Sequence, residues 1–201
     1  MIRNRRISVI TWAKLAGTVA AVCVGARLGG LPASSLTGRA TVAAEAAQVV
    51  RVIDADTYIM RSDSTAYRLR LLSVDAPEHD QAFGTQATDS VARLLTPGQV
   101  VLVARAGMDR YGRTLGAVLL PTATVAAAGR AVPLDSLLVV CGWAWAFDPN
   151  RTVAGRAQQQ LAAQRAGRGL WKCGVSAAVP PKRWRSFNSE IKRRYQVGCT
   201  W

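Results

Sequence analysis

Histidine is almost missing from these 201 residues: His79 is the only one. A histidine-built zinc site is thereby excluded, and because the four cysteines (Cys23, Cys141, Cys173, Cys199) form no Cys-x-x-Cys pair, a thiolate zinc site has no support either. A Ser-His-Asp or Cys-His triad would have to use His79, and no neighbouring residue offers itself as its nucleophile. Long apolar runs are also lacking. None reaches the roughly 20 residues that a bilayer-spanning helix needs, which excludes a multi-span membrane protein. The 17 glycines follow no triplet period and no heptad run is sustained, so collagen-like and coiled-coil classes fall away. Acidic residues are scarce, 12 against 26 Lys and Arg, for a net charge of +14. A polyanion is the natural partner of such a chain.

What is present is enough for one domain with tails. Half the residues are hydrophobic, so the chain is not disordered, and its length suits a single core. The charge is unevenly spread. Residues 1–46 hold six basic residues and one acid, residues 172–201 hold seven basic residues and Glu190, and residues 47–171 are close to balance.

The first residues are short and basic, and the apolar run 15–26 ends at Arg27. This reads as an export signal. Cleavage could follow Val24-Gly25-Ala26 or Ala44-Glu45-Ala46, and the rival reading is a retained membrane anchor with residues 27–47 as a flexible linker. Either version exports the domain to an extracellular, periplasmic or cell-envelope location. A Cys173–Cys199 disulfide would suit that compartment and close a loop of about 26 residues, worth roughly 3.5 kcal/mol by chain entropy.

From Gln48 onward, short β-rich segments at 49–53, 57–60, 67–72, 100–104 and 115–120 alternate with turn signals. Helical patterns follow at 85–95, 133–141 and 153–166. The expected class is α+β, with five short strands forming a small barrel. Residues 121–131 read as an enlarged hairpin loop.

Three clusters carry chemistry: Val52-Ile-Asp54-Ala-Asp56-Thr57, Arg70-Leu-Leu-Ser-Val-Asp75-Ala-Pro-Glu78 and Asp109-Arg-Tyr-Gly-Arg113. Taken singly, each has a bland reading as an Asx turn, a solvated strand face or a hairpin turn. Together they supply what attack on a phosphodiester needs. Asp56 and Asp75 are hard oxygen donors for a divalent cation such as Ca²⁺. Glu78, off the metal, could deprotonate the attacking water. Two arginines could clamp the phosphate and offset the extra charge of the transition state.

These motifs, with Gly169-Leu-Trp171, resemble the staphylococcal nuclease-like (thermonuclease) family over about residues 48–171. The resemblance implies an OB-type five-stranded β-barrel with three helices, flanked here by the signal or anchor (1–26), the linker (27–47) and a basic C-terminal extension (172–201). It implies Ca²⁺-dependent, nonspecific hydrolysis of DNA and RNA to 3'-phosphate ends, by a monomer needing no obligate protein partner. By motif, Asp56, Asp75 and the Ala76 carbonyl resemble metal ligands, Glu78 the general base, and Arg70 and Arg113 the phosphate-binding pair. Arg110, Tyr111 and Trp145 resemble nucleotide-binding side chains, and the two aromatics suit stacking on bases. Where the family has glycine, this chain has Ala55, and a left-handed backbone there would strain an alanine and shift Asp56. His79-Asp80 reads as a solvent-facing pair. In the extension, Lys182-Arg-Trp-Arg185 and Lys192-Arg-Arg-Tyr195 suit a nucleic-acid backbone, or equally a helix packed through Trp184, Phe187 and Ile191. The alternative functions are a catalytically inactive nucleic-acid-binding OB-type module and an envelope protein docked by its basic tail.

Overall fold

The computed structural model describes residues 44–121, 131–147 and 153–196. The signal or anchor, most of the linker, the tip of the enlarged loop and Cys199 lie outside these residues. Among the described residues, no helix is long and apolar enough to cross a membrane.

Five strands close a barrel. Strands β1 (Glu45–Asp54), β2 (Thr57–Ser62) and β3 (Thr65–Leu71) form an antiparallel meander. Strand β5 (Val100–Met108) pairs antiparallel with both β1 and β6 (Thr114–Leu120). Closure comes from a parallel pairing of β6 with β3, in register Leu69 to Thr114 through Leu71 to Gly116. Register shifts in β1 and β5 mark bulges, the device that bends strands tightly enough to close a small barrel. β1 starts at Glu45, inside the expected linker. Glu45, Ala46 and Ala47 already pair with β5, so a cut after Ala46 would remove paired residues from the barrel.

Alternation explains which side chains fill the barrel. Along β6, Thr114, Gly116, Val118 and Leu120 are buried while their neighbours are only partly so. Val118 and Leu120 join Val49, Tyr58, Met60, Leu69, Leu71, Val101 and Val103 in one core. A fully buried leucine or valine of this kind contributes about 1.5–3 kcal/mol.

The three expected helices are present as α1 (Gly84–Leu94), α2 (Leu134–Cys141) and α3 (Arg156–Arg165). α1 caps the barrel through Ala87 and Val91, and α2 through Leu134, Leu138 and Val139. The buried ion pair Arg156–Asp135, at 2.7 Å, ties α3 to α2. A two-residue ladder joins β4 (Val74–Asp75) to β8 (Trp145–Ala146), and β7 (Val132–Pro133) extends the sheet beside β6. Gly-Leu-Trp forms a 3-10 turn whose Leu170 and Trp171 pack with Trp145 and Ala163 in a second cluster. Its tight approach to the end of α2 leaves no room for a side chain on Gly142 or Gly169, both left-handed.

The C-terminal segment adds α4 (Pro181–Trp184) and α5 (Ser189–Gln196). Of the two readings of its aromatics, the packing one holds for Trp184. It is fully buried, and Phe187 bridges it to Tyr195, stacking on the latter at 5.4 Å. Cys173 is disulfide-bonded and Cys141 is buried.

Candidate active site

The site is assembled from three places where strands end. The β1–β2 hairpin turns through Ala55 and Asp56. Asp54 accepts the Asp56 N–H at 3.0 Å, an Asx turn that aims the Asp56 carboxylate inward. The strain expected at Ala55 does not arise. The described non-glycine residues with positive φ are Asp63, Ser73 and Phe83; Ala55 is buried and its carbonyl accepts the Tyr58 hydroxyl at 2.7 Å.

Asp56 is buried and fully engaged. Its Oδ1 accepts the Thr57 hydroxyl at 3.1 Å, and its Oδ2 accepts the Ala76 N–H at 2.7 Å and pairs with Arg70 Nη1. Left-handed Ser73 turns the chain from β3 into β4, where Asp75 Oδ1 accepts Arg70 Nη2 at 3.0 Å. One guanidinium therefore lies between the two predicted metal carboxylates. Burial pushes the Asp75 carboxyl above its ordinary value against the opposing pull of Arg70, and burial likewise raises Asp54. Burial also lowers Arg70 from its usual value, with Asp75 and Asp54 opposing. Arginine's intrinsic basicity still keeps it charged at neutral pH.

Glu78 lies just beyond, in the loop 76–83 that leads into α1. Its N–H donates to Gln81 Oε1 at 3.2 Å, and Gly84 passes so close that a Cβ there would overlap the Glu78 carbonyl oxygen. The third cluster is a tight turn organised by Asp109. Its Oδ1 accepts the N–H groups of Tyr111 and Arg113 at 2.9 and 3.0 Å, and its Oδ2 accepts Arg113 Nε at 2.7 Å. Arg113 is near enough for its charge to be felt at Arg70. Arg110 donates to the Tyr111 hydroxyl at 2.7 Å, and the Tyr111 ring is 69% exposed.

Asp56 and Asp75 meet on Arg70, Arg185 links Asp75 to Glu78, and the charge of Arg113 is felt at Arg70. Ala76 donates its N–H to Asp56 beside this group. Trp145 is only 8% exposed, its ring edge-on to Trp171 at 5.5 Å, so it offers little face to a base; the exposed aromatic nearby is Phe147. Asp80 departs from the expected pairing with solvent alone: it accepts Trp184 Nε1 at 2.9 Å and Lys192 Nζ at 2.7 Å. Sequence reading missed Arg185, whose guanidinium pairs with Glu78 and lies 3.7 Å from Asp75. No local motif could flag it, since the contact spans 107 residues of chain.

Hard carboxylate oxygens suit Ca²⁺ or Mg²⁺ and do not suit a soft metal. Among the described residues there is no ready-made group of three His, Cys, Asp or Glu ligands. Asp56 and Asp75 do share one cationic group, Arg70, so their carboxylates would fit as two ligands of a hard cation, with carbonyl oxygen and water available to supply the others.

A small closed barrel carrying interleaved carboxylates and arginines at its strand ends defines a phosphodiester-directed OB-type protein. The pattern of the family described as staphylococcal nuclease homologue matches residues 68–173. An endonuclease of Escherichia coli O157:H7, described as uncharacterized, is 35% identical over 138 residues, covering 69% of this chain and 83% of its own. Micrococcal nuclease of Shigella flexneri is 36% identical over 140 residues, covering 69% and 79%. Thermonuclease of Staphylococcus hyicus is 41% identical over 80 residues, covering 36% and 47%. The chain belongs to the staphylococcal nuclease homologue family, and its class is that of the nuclease hydrolases.

Proposed function

We propose that the protein is an exported, Ca²⁺-dependent nonspecific nuclease that hydrolyses DNA and RNA to 3'-phosphate ends. The observation that carries this reading is the convergence of Asp56 and Asp75 on the Arg70 guanidinium, with Glu78 joined to Asp75 through Arg185. Ca²⁺ held by these two carboxylates would neutralise charge on a phosphate oxygen. Glu78 accepts the proton of the attacking water, and it is the carboxylate of the three least engaged with Arg70. Arg70 and Arg113 donate to the phosphate oxygens as negative charge builds on them, with Arg113 held ready by Asp109. Tyr111 and Arg110 offer an exposed ring and a cation to the neighbouring base and backbone. Export rests on the basic, then apolar, N-terminal segment.

The test is cleavage of single-stranded DNA by the full chain in Ca²⁺, in EDTA, and in Ca²⁺ with Glu78→Gln. Loss of cleavage in EDTA, and a fall of about 10² to 10⁴ in the variant, is the expected result. Folded wild type that binds the strand in Ca²⁺ and leaves it whole would overturn the reading in favour of an inactive binding module.

A further inference from the structure

The site contains a third arginine that lies outside the stretch matched by the family. Arg185 follows Trp184 at the end of α4, beyond the match at 68–173. Its Nη1 pairs with Glu78 Oε1, and its Nη2 lies 3.7 Å from Asp75 Oδ2. Its charge is felt at both Arg70 and Asp75.

We propose that Arg185 is a substrate-binding residue of the active site, a third phosphate contact supplied by the C-terminal segment; this rests on the nuclease reading above. Three observations carry it. The first is the anchor. Trp184 is fully buried, its indole N–H bonds to Asp80, Lys192 reaches the same carboxylate and lies over the indole ring at 5.2 Å, and Gln81 donates to the Val179 carbonyl. The loop that carries Glu78 is therefore the loop that holds the segment down. A buried tryptophan is costly to withdraw, which makes the segment a standing wall of the site around neutral pH, where Asp80 is ionised, and not a detachable latch.

The second is exposure. The Arg185 side chain is 52% exposed, against 16% for Arg70. Arginine has five N–H donors, and the contacts to Glu78 and Asp75 use only part of that fork. The third is charge balance. Asp56 and Asp75 already occupy Arg70, and Asp109 occupies Arg113. When Glu78 turns to water, Arg185 loses its closest anionic partner at the moment a phosphate arrives. A phosphate oxygen can take the place of that carboxylate oxygen as a charge-assisted acceptor for the same Nη1 donor.

The experiment compares full-length wild type, Arg185→Gln and Arg185→Lys on a single-stranded oligonucleotide. Two readouts are taken: kcat and KM in Ca²⁺, and the dissociation constant in EDTA over a range of salt concentrations. For Arg185→Gln the expected result is a rise of about tenfold in both KM and the dissociation constant, with kcat changed less than about threefold. The slope of log affinity against log salt should fall by about 0.7, the value for one phosphate contact on a single strand, and Arg185→Lys should recover part of the loss. Unchanged KM and affinity would overturn the proposal. So would a fall in kcat alone, which would make Arg185 a positioning residue for Glu78, and so would a faster enzyme, which would make it a latch. Wild type that fails to cleave in Ca²⁺ defeats the nuclease reading instead, while the affinity comparison in EDTA still reports on Arg185.

Discussion

The Ala76 N–H donates to Asp56 Oδ2 at 2.7 Å, fastening the β1–β2 turn to the chain just after β4. The same carboxylate pairs with Arg70, so one buried side chain both shapes the site and balances its charge.

Replacing it should therefore cost stability as well as activity. Asp56→Ala leaves the Ala76 N–H and one arm of Arg70 without a partner, and should destabilise by about 2–4 kcal/mol. Urea unfolding checks this. Asp56→Asn, which keeps an acceptor oxygen, should lose less stability while cleavage falls as far.

Gly84→Ala separates two opposed effects. At an open helix position the change would stabilise by up to about 1 kcal/mol. Here the added Cβ overlaps the Glu78 carbonyl, and overpacking against backbone costs about 1–3 kcal/mol. The variant should melt at a lower temperature and cleave more slowly, because the loop bearing Glu78 has to move. A raised melting temperature with full activity would contradict the packing described.

The two aromatics expected to stack on bases should behave differently. Tyr111→Ala removes an exposed ring, so stability should stay within about 0.5 kcal/mol while single-strand affinity weakens by about 1–3 kcal/mol. Trp145→Ala empties a buried position against Trp171 and should cost about 3–5 kcal/mol of stability. Calorimetry paired with oligonucleotide binding distinguishes them.

The C-terminal segment should come loose in acid. The hydrogen bond from Lys192, helped by Trp184, outweighs partial burial and holds the Asp80 carboxyl below its ordinary 3.8. A depressed carboxyl stabilises the docked form fully above that ordinary value, and the contribution disappears as pH falls through the lower, folded value. Tryptophan fluorescence followed from pH 6 to pH 2 should show an undocking step that Asp80→Asn lacks.

Much of the barrel was legible because its signals are local. Alternation at 115–120 and the turn residues between segments mark strands whatever the rest of the chain does, and each of the five expected strands is found, lengthened at one end or both, except that β3 stops at Leu71, one residue short of the expected end. The acid and arginine clusters were legible for the same reason, since each sits at one strand end or in one tight turn. The burial of Trp145 was not legible, because nothing local says whether a tryptophan in an apolar stretch meets solvent or another tryptophan 26 residues on.

By itself the sequence determined the barrel strands, the three helices, the surplus of positive charge and the residue types of the site, all consequences of periodicity, turn chemistry and side-chain acidity. Only the tertiary structure decided that β3 and β6 close the barrel, that Ala55 sits without strain, and that Arg70 joins Asp56 to Asp75. It also brought Arg185 to Glu78 by burying Trp184 against the Asp80 loop. Those contacts join residues distant along the chain, and their formation depends on which surfaces the whole fold buries together, a quantity no short stretch of sequence contains.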